Sequence, residues 1–139
     1  MASKLDFDGV RLPVDGAEAV EVMTDILTGL GCDGRVADAI AEHLADASLC
    51  GVESHGVMRI LQYVRQFRSG YMSAAGKARV TKRDGQFLTI DGGGGHGIPA
   101  MQLAFDTAIE AAVDTGMSVT AITNLCLLYT SDAADDLWC

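Results

Sequence analysis

The chain has 139 residues, of which 49% are hydrophobic, so it is long enough to form one folded domain with an apolar core. Its 19 acidic residues outnumber its 10 basic ones, and the formal charge of -9 argues against nucleic-acid binding, which needs a basic surface. No apolar stretch approaches the roughly 20 residues of a membrane span, and the polar opening MASKLDFDG does not resemble a signal peptide, so we expect a soluble, cytoplasmic protein without a membrane partner.

Two amphipathic helices are predicted in the first third of the chain. The first spans residues 16–30, and Gly31 ends it. Asp33 is suited to cap the second helix, which is expected to end near Cys50. Apolar side chains at steps of three and four residues predict the buried positions, namely Val20, Met23, Leu27 and Leu30 in the first helix and Val36, Ile40, Leu44 and Ala47 in the second.

A third helix is predicted within the segment GVESHGVMRILQYV, with Ser54 as its N-cap and Gly70 at its end. Because an α-helix repeats every 3.6 residues, His55, Arg59 and Tyr63 would share one side of it. The opposite, buried side would comprise Val57, Ile60, Leu61, Val64 and Phe67.

The second half of the chain predicts strands around a fourth helix. Residues 77–92 form two short strand patterns joined at Asp84-Gly85, which is a strong hairpin signal. Pro99 fits the first turn of a helix that runs through Asp114, and residues 117–123 predict a buried strand. The fourth helix offers Met101, Ala104, Phe105, Ala108, Ile109 and Ala112 for packing. This order predicts an α/β fold in which an N-terminal helical segment precedes mixed strands and a helix.

The last residues depart from this pattern. The stretch CLLYTSDAADD, residues 126–136, resembles residue for residue the conceptual translation of a transposase-type sequencing-library adapter. We therefore expect native sequence in residues 1–125 and a non-native tail in residues 126–139, and we exclude that tail from the fold prediction.

The cysteines and histidines do not predict a metal site. No CxxC pair occurs, and the spacing of the cysteines to His43, His55 and His96 does not match a zinc ligand set. We expect reduced thiols and no bound metal. His43, on the second helix, is expected to be a surface or packing residue. The cysteines are Cys32, Cys50, Cys126 and Cys139.

Ser54, His55 and Arg59 offer three kinds of chemistry on one helix. A histidine can donate or accept a proton, an arginine can hold a carboxylate through parallel hydrogen bonds, and the serine hydroxyl can either cap the helix or bind a ligand. Gly56 leaves the backbone open to a close ligand. The spacing alone also fits a capped helix with a surface histidine and a solvated arginine. A serine hydrolase is disfavoured because the G-x-S-x-G pattern is absent.

The stretch TIDGGGGHGIP contains a dinucleotide-binding pattern, because Gly92, Gly94 and Gly97 satisfy G-x-G-x-x-G between a strand and a helix. However, the following strand ends at Asn124 without an acidic residue for a ribose hydroxyl, and four consecutive glycines satisfy many patterns by chance. A loop near an active-site cleft and a purely structural turn are both compatible with this sequence. His96 would face the cleft or be solvated.

The segment ADASLCGVESHGVMRILQYVRQFRSGYM, together with IDGGGGHG and AIEAAVDTGMSVTAITN, resembles the N-terminal region of the malate/L-lactate dehydrogenase family, which lies outside the usual Rossmann dehydrogenases. The resemblance runs from about Ala17 to Asn124 and is most specific between Gly51 and Gly70. It implies an oxidoreductase that transfers a hydride between NAD or NADP and a small 2-oxo or 2-hydroxy acid. The cofactor-binding segments are expected farther along the family's chain, so this fragment alone is expected to be inactive, and relatives imply a homodimer at full length.

By the same resemblance, His55 would exchange a proton with the substrate oxygen and Arg59 would bind the substrate carboxylate. Ser54 would hydrogen-bond the substrate, and Tyr63 is expected to be structural. The alternatives are a Rossmann-type nucleotide-binding domain and a non-catalytic helical interaction module. The sequence specifies neither the acid nor the choice between NAD and NADP.

Overall fold

The structure is a computed structural model that describes residues 12–126. Four α-helices, two 3-10 turns and three strands occur in these residues. They are α1 (Gly16–Gly29), α2 (Gly34–Leu49), the 3-10 turns Glu53–His55 and Val57–Arg59, α3 (Ile60–Arg68), β1 (Arg79–Asp84), β2 (Phe87–Asp91), α4 (Gly97–Thr115) and β3 (Val119–Thr123). The order of helices and strands confirms the predicted α/β class.

The first two helices pack against each other through their apolar stripes. Met23 and Leu27 of α1 and Ile40 and Leu44 of α2 are buried, as their spacing predicts. Removing one such side chain from water contributes about 1.5–3 kcal/mol, so this interface holds the helical half of the chain together. Asp33 caps α2 as predicted, because its carboxylate accepts the backbone N–H of the second helical residue.

The third helix begins at Ile60 rather than directly after Ser54. Two 3-10 turns precede it, separated by Gly56, whose backbone is extended (φ -90°, ψ -153°). No side chain within the first 3-10 turn caps it, so the predicted role of Ser54 as an N-cap is wrong.

The buried face of α3 also differs from the prediction. Tyr63 and Phe67 are in the core, whereas Leu61 is 65% exposed. Tyr63 therefore does not share an exposed side with His55. A 3-10 turn advances by about 120° per residue instead of about 100°, and the extended glycine interrupts the helix, so a phase counted from Ser54 does not continue into α3.

The three strands form one sheet in the order β1-β2-β3. The predicted hairpin is confirmed, but Asp84 still pairs with Phe87, so the two turn residues are Gly85 and Gln86, one position later than predicted. β2 and β3 pair in parallel, with Phe87 opposite Val119, and α4 connects them. A parallel pair requires such a crossover, which places α4 against the sheet.

The fourth helix and the last strand are less buried than predicted. α4 packs with its small side chains Ala100, Ala104 and Ala111, whereas Phe105 and Ile109 are more than half exposed. β3 is shorter than predicted, and its residues alternate between exposed and half-buried. α4 contacts α2 and one side of the sheet. Apolar side chains of α4 and of the sheet that face away from these contacts remain exposed to solvent.

The predicted non-native tail, residues 126–139, lies outside the described residues except for Cys126. This cysteine is buried, and its N–H donates to the Gly95 carbonyl oxygen at 3.1 Å. The boundary at residue 125 stays a prediction. Between residues 12 and 126, no helix combines the length and the hydropathy that a bilayer span requires.

Candidate active site

Ser54, His55 and Arg59 lie together where α2 leads into α3. The Ser54 hydroxyl lies 2.9 Å from His55 Nδ1. Arg59 Nε donates to the Ser54 carbonyl oxygen at 2.7 Å, which ties the end of the second 3-10 turn to the first. Ser54 and His55 are exposed and Arg59 is half-buried, so a solute can reach the serine and the histidine. We call these three residues the polar group.

The guanidinium of Arg59 is held on its inner side. Besides the bond from Nε, its Nη1 donates to Gln62 Oε1 at 2.6 Å. Within residues 12–126, Nη2 makes no hydrogen bond. Among these residues, Nη2 and one of the two Nη1 hydrogens are not used by these bonds and are available to a carboxylate. Gln62 was missed by sequence reasoning, although its position three residues after the arginine on a helix was a usable signal.

The backbone of the polar group is fixed from α2. The hydroxyl of Ser48, in the last turn of that helix, accepts the Val57 N–H at 2.9 Å. Sequence reasoning missed this contact because nothing local marks a cap supplied by the preceding helix. The Ser54 hydroxyl makes no backbone cap and contacts His55 instead.

Tyr63 and His96 connect the helical half to the start of α4. Their ring centroids lie 4.5 Å apart with an interplanar angle of 66°, an edge-on contact. Burial raises the pKa of the Tyr63 hydroxyl, which stays neutral at physiological pH. This placement matches the structural role that was expected for Tyr63.

His96 is buried at 4% exposure, so the prediction that it is solvated is wrong. Its Nδ1 accepts the Ile98 N–H at 3.2 Å and thereby caps α4. In the neutral ring the proton then lies on Nε2, which has no hydrogen-bond partner among residues 12–126. Burial, with a smaller contribution from the charge of His43, lowers the pKa of His96 to about 3. With a pKa of about 3, this imidazole is neutral near neutral pH.

The glycine run, residues 92–95, uses its N–H groups within the chain. Gly92 donates to the Thr123 carbonyl oxygen, Gly94 to that of Asn124 and Gly95 to that of Gly92. The Gly93 N–H donates to the Asp91 carboxylate at 2.9 Å. A phosphate cradle requires free backbone donors, and these donors are occupied.

Close packing explains why these positions are glycine. A Cβ on Gly93 would lie 2.6 Å from the Lys77 carbonyl oxygen, and one on Gly92 would lie 2.6 Å from Leu125 Cβ. The run is thus wedged between the segment before β1 and the segment after β3. Of the two interpretations that the sequence allowed besides a Rossmann site, this geometry favours a structural turn.

Asp91 organises the turn and was missed by sequence reasoning. One carboxylate oxygen accepts from the Gly93 N–H and from Asn124 Nδ2 at 2.8 Å, and the other accepts from Arg79 at 3.0 Å. The Gly93 N–H, and then the Asn124 amide, hold the pKa of this carboxyl below its usual range. The alternating pattern of β2 did not predict this role of Asp91, because the hydrogen-bond partners of its carboxylate come from three separate segments of the chain.

An open groove of about 550 Å³ lies apart from the polar group. It is lined by residues of α1 and α2, among them Glu42, the exposed His43 and Asp46, and by Gln102 of α4. His43 is thus a surface residue, one of the two roles expected for it. Among residues 12–126, no cluster of three or more His, Cys, Asp or Glu side chains is arranged to hold a metal ion.

Comparison with known proteins identifies what this architecture resembles. The sequence profile described as malate/L-lactate dehydrogenase matches residues 14–128. A malate dehydrogenase of Pyrococcus abyssi is 32% identical over 120 residues, which are 86% of this chain and 33% of that protein. The chain thus spans about a third of the length of the curated relatives that it matches.

Solved structures agree with this similarity. The Δ1-piperideine-2-carboxylate reductase from Pseudomonas syringae pv. tomato superposes with a TM-score of 0.77 at 27% identity and covers 83% of this chain and 35% of that one. The malate dehydrogenase from Pyrococcus horikoshii OT3 also gives 0.77, at 32% identity, and covers 82% of this chain and 33% of that one. The observed arrangement of helices and mixed sheet is therefore that of these structures.

Proposed function

Because this chain belongs to the malate/L-lactate dehydrogenase family, we propose that its polar group forms the substrate side of an active site that interconverts a small 2-oxo acid and the corresponding 2-hydroxy acid by hydride transfer with NAD or NADP. The observation that carries this proposal is the joint placement of Ser54, His55 and Arg59, in which the imidazole and the guanidinium both contact Ser54.

His55 is the proposed proton donor and acceptor. When a hydride reaches the carbonyl carbon, the carbonyl oxygen takes up a proton and becomes the hydroxyl of the product; the oxidation direction reverses both transfers. In the reduction direction the imidazolium gives its Nε2 proton to the carbonyl oxygen, while Nδ1–H donates to the Ser54 hydroxyl oxygen, and the ring is left neutral. In the oxidation direction the same neutral ring keeps its proton on Nδ1, donated to Ser54, and accepts the substrate proton at Nε2. The same 2.9 Å contact thus supports both directions.

Arg59 is the proposed carboxylate-binding residue. Its inner donors are used by Ser54 and Gln62, so the guanidinium is already oriented before substrate arrives. A pre-oriented planar fork loses little conformational freedom when it binds a carboxylate through two parallel bonds. Malate and Δ1-piperideine-2-carboxylate, named for the similar proteins, share a carboxylate beside the carbon that is oxidised or reduced. We therefore propose a substrate with a carboxylate next to a carbonyl or imine carbon.

The nicotinamide cofactor would supply or accept the hydride. The described residues do not fit a dinucleotide at the glycine run, since its N–H groups are occupied. We propose that cofactor-binding segments lie outside this chain, that the chain alone is inactive, and that the full-length enzyme is a cytoplasmic homodimer.

The decisive experiment uses the full-length reading frame that contains this chain. Oxidation of NADH and NADPH is followed with a panel of 2-oxo acids and with Δ1-piperideine-2-carboxylate. We expect turnover of at least one of them, and a fall in kcat of about 10²–10⁴-fold in His55→Asn, because that is the usual contribution of a positioned acid or base.

Arg59→Lys tests the carboxylate contact in the same assay. We expect a raised KM for the acid, because a lysine cannot make the bidentate contact. Arg65→Lys, at an exposed arginine of α3, is the matched control and should change neither parameter. Absence of turnover with every substrate, or undiminished turnover in His55→Asn, would contradict the proposed function.

A further inference from the structure

The backbone two residues after His55 is held by a residue of the preceding helix. Ser48 lies in the last turn of α2, and its half-buried hydroxyl accepts the Val57 N–H at 2.9 Å. Val57 opens the second 3-10 turn, so its N–H is one of the donors that a helical start leaves without an internal partner. Ser48 thus performs the capping role that the sequence assigned to Ser54.

Gly56 fits directly against this serine. A Cβ at position 56 would overlap Ser48 Oγ and lie 3.0 Å from Ser48 Cβ. Its extended backbone is one that other residues also adopt, so glycine is required here for space rather than for conformation. The backbone at Gly56, between His55 and Val57, therefore packs closely against the C-terminal end of α2.

Capping from α2 leaves the Ser54 hydroxyl free to contact the His55 ring. If Ser54 were the cap, its oxygen would accept a backbone N–H two or three residues on. Instead it lies 2.9 Å from His55 Nδ1, while its carbonyl oxygen accepts from Arg59. Ser48 thus holds the backbone of the turn, whereas Ser54 contacts the imidazole ring of His55.

We propose that Ser48 is a positioning residue for proton transfer: by capping Val57 it fixes the backbone beneath His55, and so sets the distance between the imidazole and the substrate oxygen. This inference rests on the proposed function. It concerns His55 more than Arg59, because the guanidinium keeps its own bonds to Ser54 and Gln62. A displacement of about 1 Å at such a ring costs about 10²-fold in rate.

The test compares Ser48→Ala with wild type in the full-length enzyme. We expect kcat to fall by about tenfold or more, while the KM for the acid changes by less than about twofold, because the ring shifts but the carboxylate contact persists. Ser48→Thr retains the hydroxyl and should restore most of kcat. Ser69→Ala is the matched control, since that hydroxyl donates to the Gln66 carbonyl oxygen at 3.0 Å on the exposed end of α3, away from the turn.

Two further measurements separate positioning from general stability. Amide hydrogen exchange at Val57 should be faster in Ser48→Ala than in the wild type. The midpoint of thermal unfolding of Ser48→Ala should shift no more than that of the control Ser69→Ala, whose kcat is expected to be unaltered. If Ser48→Ala does not fold, Ser48→Cys, which keeps the shape but weakens the acceptor, is measured in the same way. Wild-type turnover that depends on His55 but is unaffected by Ser48→Ala overturns this inference alone, whereas absence of wild-type turnover overturns the proposed function as well. A rise in KM with unchanged kcat also overturns the positioning role.

Discussion

A neutral imidazole inside the core makes stability depend on pH, because the unfolded chain can bind a proton that the folded chain rejects. His96 has a folded pKa of about 3 against an ordinary value of 6.5. Between these two values the unfolded state holds more protons, so the free energy of unfolding falls as the pH falls. Above about pH 6.5 this effect vanishes, since both states are neutral there.

The first prediction concerns His96→Asn. Asparagine retains an acceptor that can cap α4 but does not titrate. Between about pH 3 and 6.5 the slope contributed by the histidine, which approaches about 1.4 kcal/mol per pH unit, should disappear from urea-unfolding measurements. The exposed His55→Asn serves as the control, because His55 does not contribute to the shift of His96. Equal slopes in wild type and His96→Asn would contradict this origin of the pH dependence.

Individual residue positions were predictable only where the signal is local. The four-residue separation of His55 and Arg59 predicts that they lie on one side of a helix; in the structure no continuous helix joins them, and each instead contacts Ser54. The burial of His96 was not predictable, because its partner Tyr63 lies on a separate element, and a histidine after four glycines reads as a loop residue. Long-range packing decided that position.

At the scale of the elements, the glycine run and the segment before β1 touch backbone to backbone. A Cβ on Gly76 would lie 2.7 Å from both the Gly93 carbonyl oxygen and the Gly95 nitrogen. Those atoms belong to the main chain and cannot rotate away. The sheet and the segment that leads from α3 are therefore joined at a point where only hydrogen fits.

Gly76→Ala should consequently destabilise the chain by about 1–3 kcal/mol, as overpacking of a close contact does. Gly29→Ala is the matched control: it lies at the end of α1, where an added methyl group would meet no atom within 4 Å beyond its own helix backbone, and alanine there should be neutral or stabilising by up to about 1 kcal/mol. Urea denaturation of both variants measures the difference. Equal free energies of unfolding for Gly76→Ala and Gly29→Ala would contradict this prediction, because they would show that the glycine run shifts to accommodate the added methyl group.

Element existence was more predictable than element boundaries. The helices α1, α2 and α4 and the hairpin follow from periodicity and turn residues. The start of α3 did not, because two 3-10 turns precede it, and the second is capped by Ser48, nine residues before the N–H that it accepts. The burial of β3 was overestimated, since an apolar run does not reveal whether both sides of a strand are covered.

At the scale of the whole molecule, the G-x-G-x-x-G pattern predicts nucleotide binding, whereas the fold argues against it. The pattern sits between a strand and a helix, as a dinucleotide site requires, yet the N–H groups of residues 92–95 are already bonded within the chain. Fold class and candidate chemistry were nevertheless predictable, because they depend on helix periodicity and on the resemblance carried by residues 51–70. The role of the glycine run was not, because it depends on which segments approach it.

The isolated chain should therefore show no saturable binding of NADH or NADPH. Fluorescence titration and calorimetry measure this directly, and Gly94→Ala should change neither result. A Rossmann-type site predicts the reverse, namely binding by the wild-type chain that is lost in Gly94→Ala. Such a loss would contradict both the structural interpretation of the run and the placement of the cofactor site outside this chain.

The parallel pairing of β2 with β3 also affects how the chain is made. On the ribosome, α1, α2 and the β1–β2 hairpin can assemble from contacts that are close in sequence. The other edge of β2 must wait until α4 is complete and Thr123 has left the exit tunnel. During that interval the N–H and C=O groups along Phe87–Asp91 lack their strand partner, so a nascent chain paused within α4 offers an open template for mispairing and for chaperone capture.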